Sequence, residues 1–147
     1  MSEFSNSSSL WPQVRTYLLK EIPGWLDVNA AEALTLPLPD ENWLLEITAD
    51  GKLICMAGYD MEDMKSMLSD GTPEDLGTDE LAKQAKFYLQ QTVSKHRPKL
   101  MSQGFIERIE MNESHVVAHY ERGLDFENLT DLRQQINACV SWFPAST

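Results

Sequence analysis

The segment Asn42-Trp-Leu-Leu-Glu-Ile-Thr-Ala-Asp-Gly-Lys-Leu-Ile-Cys-Met-Ala-Gly-Tyr59 constrains the fold more than any other part of the chain. Two apolar runs flank Asp50-Gly51, a residue pair that supplies the positive φ angles a tight hairpin turn requires. The segment therefore predicts an antiparallel hairpin. A two-residue loop sets Ala49 opposite Lys52, and Leu45, Ile47, Ile54 and Met56 then share the core face.

Upstream, Leu10, Val14, Tyr17, Leu18 and Ile22 recur at three- and four-residue spacing, with Pro12 in the first turn and Pro23-Gly24 as a stop. This predicts a helix. Leu34, Leu36 and Leu38 alternate in a strand that Pro37 confines to a sheet edge. A long helix begins at Thr78, with Leu81, Ala85, Tyr88, Leu89, Thr92 and Val93 on one stripe, and the residue before Pro98 ends or kinks it. A second strand pair covers Phe105–Met111 and His115–Arg122, and Asn128 caps a closing helix bearing Leu132, Ile136, Cys139 and Phe143. The fold class expected is α+β, in the order α-β-β-β-α-β-β-α, with one antiparallel sheet packed by helices. Residues 1–9 read as a flexible leader, 10–143 as a single domain and 144–147 as a tail.

The chain has 147 residues, 42% of them hydrophobic, enough for one buried core. No run approaches the roughly 20 apolar residues of a membrane span, and Met1–Ser9 has neither a basic nor an apolar signal region. A cytoplasmic protein is expected. Cys55 and Cys139 lie in apolar company and read as reduced, buried residues.

No residue pattern points to catalysis, and no catalytic residue, metal ligand or cofactor is assigned. His115 and His119 are four apart in a strand, so at about 3.3 Å per residue they lie roughly 13 Å apart and cannot share one ion. Asp60, Glu62 and Asp63 lack the alternation and central glycine of a calcium loop. Nucleophile-elbow, Cys-x-x-Cys and phosphate-loop patterns are missing.

Charge is distributed unevenly. The formal net charge is −11, yet Lys83, Lys86, Lys95, Arg97 and Lys99 account for five of the 12 basic residues, and residues 81–99 contain no acid. Neutralisation by the acidic run at 60–80 explains this, as does an acidic partner segment. The overall charge repels nucleic acid at long range. Met61, Met64 and Met67 repeat at helical spacing and serve either a core or an adaptable surface.

The element order, together with Val116-Val-Ala-His-Tyr-Glu-Arg-Gly-Leu-Asp-Phe-Glu-Asn-Leu-Thr-Asp-Leu-Arg-Gln-Gln-Ile-Asn-Ala-Cys-Val-Ser-Trp142, resembles the class I type III secretion chaperones of bacteria, the group typified by the Tir chaperone. The similar part is the last strand, a Leu/Asp linker and an amphipathic closing helix. The resemblance implies a non-enzymatic homodimer, free of cofactors and apart from membranes, that keeps an effector segment or a regulator export-competent. Its partner-binding residues would be Trp25, Leu26, Leu34, Leu36, Leu38, Met61, Met64 and Met67, because an extended segment can join a sheet edge and fill apolar patches. Its dimer interface would carry Phe87, Tyr88 and Gln91. The alternative reading is an acidic immunity or inhibitor protein that blocks a basic enzyme such as a nuclease.

Overall fold

A computed structural model describes residues 11–26, 32–40, 42–63, 78–112 and 114–145. In chain order the elements are α1 (Trp11–Glu21), β1 (Ala33–Pro37), β2 (Trp43–Thr48), β3 (Lys52–Asp60), α2 (Thr78–Ser94), α3 (Arg97–Ser102), β4 (Ile106–Met111), β5 (His115–Gly123) and α4 (Leu129–Ser141). The fold is α+β, and its five strands form one open antiparallel sheet in the order β1-β2-β3-β5-β4. The backbone groups into two compact units, residues 1–55 with 121–147 and residues 56–120. Their boundaries fall inside β3 and inside β5.

In the first unit, β1 pairs with β2 in the register Leu34↔Ile47 and Leu36↔Leu45, so these four side chains share a face, and all four are buried. The hairpin differs from the sequence expectation by one residue. Three residues separate β2 from β3, the Gly51 N–H donates to the Thr48 carbonyl at 3.1 Å, and Gly51 has φ +86°. This is a turn closed by a left-handed glycine rather than a two-residue loop. The extra residue brings Leu53 and Cys55 to the face of Leu45 and Ile47, and turns Ile54 and Met56 to the other. Leu53 and Cys55 are fully buried, as this register requires.

Trp11, Val14 and Leu18 form the buried stripe of α1, which contacts α4. Asn128 caps α4 by accepting from the Asp131 N–H at 2.8 Å, and Asp131 returns a bond to the Glu127 N–H at 3.1 Å. Leu132, Ile136 and Cys139 pack inward from α4, and Phe143 beyond it meets Trp43 with ring centroids 4.8 Å apart.

In the second unit, α2 buries Ala85, Leu89 and Val93, one per turn. Its chain path ends before Pro98, as expected. An unexpected short helix, α3, follows, because proline is tolerated in a first helical turn, where its missing N–H has no partner to lose. Tyr59 of β3 and Thr92 of α2 are joined by their hydroxyls. A side chain at Gly58 would meet the Val116 carbonyl oxygen at 2.7 Å, so β3 and β5 approach as closely as only glycine allows. Asn112 closes the β4–β5 turn by accepting from the Ser114 and His115 N–H groups at 2.7 and 3.0 Å.

Candidate interaction groove

Among the described residues, the second unit carries most of the large exposed apolar side chains: Phe87, Tyr88, Met101, Ile106 and Ile109. Two adjoining depressions, of about 330 and 380 Å³, lie between α2 and β4 and share Gln90 and Ile109. Together they make one groove. Leu89, Val93, Ile109 and Met111 give it an apolar lining, Lys86 stands at one end, and Arg97 with Glu107 at the other.

The strand pattern explains why this face is open. β4 is terminal in the sheet order and exposes Ile106 (73%) and Ile109 (42%) on opposite faces, unlike β5, whose Val116, Ala118 and Tyr120 are fully buried. An edge strand with exposed isoleucines is a surface that other chains can use. On α2, the exposed Phe87 and Tyr88 meet edge to face at 6.2 Å, beside the exposed Gln91.

One end of the groove is a charged cluster. Arg97 donates to Glu107 at 2.7 Å, and the buried Tyr120 donates its hydroxyl to the same carboxylate oxygen at 2.5 Å. Partial burial opposes ionisation of Glu107, but the bonds from Tyr120 and Arg97 outweigh it and hold the carboxyl below its ordinary value. Burial and the bond to Glu107 push the Tyr120 phenol up. Near neutrality Glu107 thus stays ionised and Tyr120 protonated. Such a cluster presents fixed donors and charge, with no group tuned for proton exchange near pH 7.

Lys83, Lys86 and Lys95 are exposed, and none of them takes part in the ion pairs found among the described residues. Among those residues there is also no cluster of three or more His, Cys, Asp or Glu side chains that could hold a metal, and no helix long and apolar enough to cross a membrane.

The residues singled out in the sequence are dispersed. Trp25, Leu34, Leu36 and Leu38 are buried in the first unit, where they fill the core and offer little side-chain surface. Leu26 is 47% exposed, but its backbone exchanges two hydrogen bonds with Thr35, at 2.6 and 3.2 Å. The outer edge of β1 is therefore partly occupied by the chain itself. Met61 is buried after Asp60, whose carboxylate accepts from the Glu62 and Asp63 N–H groups. Met64 and Met67 lie outside the described residues. Phe87, Tyr88 and Gln91 are exposed on α2 in the second unit.

Ile106, Ile109 and Gln90 were not singled out from the sequence. For the two isoleucines the signal is the loss of clean alternation in Ile106-Glu-Arg-Ile-Glu-Met111, which marks an edge; Gln90 has none. Comparisons with family models, with curated proteins and with solved structures return no match to this chain.

Proposed function

We propose that this protein is a non-enzymatic, cytoplasmic, homodimeric module that binds a segment of a partner protein in the α2–β4 groove. The observation that carries this reading is the groove itself: an apolar lining open to solvent, with exposed cations on its helical wall, in a chain of net charge −11. Ile109 and Met111 accept an apolar side chain, Gln90 meets polar backbone, and Lys86 selects for an acid nearby. A partner segment with apolar and acidic residues interleaved fits this lining best.

Effector or regulator carriage, as in the type III secretion chaperones that the element order resembles, is one biological setting for such binding. The locked charge states of Glu107 and Tyr120 favour recognition over acid–base chemistry. The test is a pull-down from the cells that produce the protein, with wild type and Gln90→Trp as baits at low and high salt. Gln90 is exposed, so tryptophan there fills the groove without disturbing the core. Wild type should retain a protein that Gln90→Trp loses. Equal retention by both would refute the groove, and a folded basic enzyme released as salt rises would favour the inhibitor reading.

A further inference from the structure

The core of the first unit holds two cysteines that binding in the groove does not use. Cys55 of β3 shares a face with Leu45 and Ile47, and Trp43 lies on that same face two residues earlier in β2. Phe143 packs on Trp43, and Cys139 stands four residues before Phe143, about one turn back along the buried stripe of α4. Strand register and helix stripe thus bring the two cysteines to one layer of the core. Both are fully buried, and the Cys55 thiol donates a hydrogen bond to the Cys139 sulfur.

The chain path gives this contact its weight. The first unit consists of two stretches, residues 1–55 and 121–147; Cys55 is the last residue of one, and Cys139 lies inside the other. With both thiols reduced, the covalent connection between the stretches runs through residues 56–120, the whole of the second unit. A bond between the sulfurs closes that loop, and cross-links over long loops restrict the unfolded chain most.

We infer that Cys55 and Cys139 are a reversible modification site, where a peroxide converts the two thiols to a disulfide that staples the first unit. The pair divides into an attacking and a resolving sulfur. The hydrogen bond from Cys55 holds the Cys139 thiol below its ordinary value, burial opposes this, and the Arg122 charge reinforces it. The Cys139 thiolate attacks one peroxide oxygen, the O–O bond breaks, and the departing hydroxide takes up the proton that Cys139 released. Cys139 is then a sulfenic acid. The Cys55 sulfur attacks the Cys139 sulfur, the S–O bond breaks, and hydroxide leaves with the Cys55 proton as water. Two thiols have lost two electrons, and one peroxide has become two waters.

A small neutral oxidant suits a site closed to solvent, and a dithiol reverses the bond by exchange. In a reducing compartment such a bond is transient, which suits a sensor better than a permanent brace.

Treatment of the reduced protein with hydrogen peroxide, then alkylation in denaturant and a tryptic map, tests the site. Peptide 53–65 should appear joined to peptide 134–147, and dithiothreitol should separate them. The peroxide-treated protein should melt about 5 °C or more higher before dithiothreitol than after it, a comparison that methionine oxidation leaves unaffected. Cys139→Ala should lose both the linked peptide and that difference. Thiols that both remain open to alkylation, sulfinic acids in place of the linked peptide, or a bond formed only between chains would each overturn the site. A linked protein that melts no higher than its reduced form would overturn the staple, because the bond would then strain the core it joins. The wild-type map reads the bond directly, so the test stands even if Cys139→Ala fails to fold.

Discussion

Tyr120 on β5 and Glu107 on β4 face each other across the strand pair, joined by a 2.5 Å hydrogen bond to a carboxylate oxygen that Arg97 also reaches. The buried end of a core tyrosine thereby fixes the charged end of the groove. Tyr120→Phe keeps the ring and removes the bond. Its expected cost near neutral pH is about 1 kcal/mol, a charge-assisted bond discounted for the partial exposure of Glu107. The Glu107 carboxyl is held below its ordinary value of 4.5. The stability it contributes is therefore complete above that value and disappears as pH falls through the lowered one. Urea melts of wild type and Tyr120→Phe should differ near pH 7 and converge as pH falls below 4.5 and through the lowered value. A gap that persists in acid would assign the loss to packing instead.

Gly58 of β3 packs directly against β5. A methyl group there lands 2.7 Å from the Val116 carbonyl oxygen and 2.8 Å from Val117 Cγ2. Because one obstacle is backbone, the strands must shift, and Gly58→Ala should destabilise the protein by about 1–3 kcal/mol. Thermal unfolding checks it. An unchanged midpoint would mean that the two strands separate freely.

Asn128 supplies the cap of α4 through its bond from the Asp131 N–H. Asn128→Ala should cost about 1 kcal/mol, whereas Asn128→Asp, which keeps the accepting oxygen, should cost little. Equilibrium denaturation distinguishes the two variants, and equal losses in both would contradict a capping role.

Cys55 and Cys139 are free, fully buried thiols. A hydrogen bond to Cys139, together with burial, pushes the Cys55 thiol well above its ordinary value. Neither thiol should react with Ellman's reagent in the folded protein, and both should react promptly in denaturant. Rapid labelling of either one under native conditions would place it nearer solvent than the core.

Much of the fold was legible because its signals are local. Asn128 three residues before Asp131, Leu34–Leu36 alternation and the one-per-turn stripe of Ala85, Leu89 and Val93 each encode their element without help from distant residues. The hairpin register was not legible, because Asp50-Gly51 suits both a two-residue turn and a three-residue turn ended by Gly51. Only the packing of Leu53 and Cys55 decides between them. The groove was hidden for a related reason. Leucines at 34, 36 and 38 advertise an apolar strand but do not say whether it is covered, and here Leu26 bonds to its outer edge while the side chains turn into the core. Conversely, Ile106 and Ile109 read as ordinary strand residues until the sheet order leaves β4 at the rim.

The most direct test of the groove is an NMR titration of isotopically labelled protein with the partner that the wild-type bait retains. The amide shifts that move should cluster at Lys86, Gln90, Ile109 and Met111. Shifts confined to Leu26 and Thr35, at the outer edge of β1, would contradict the account and return the binding site to the strand that the sequence first suggested.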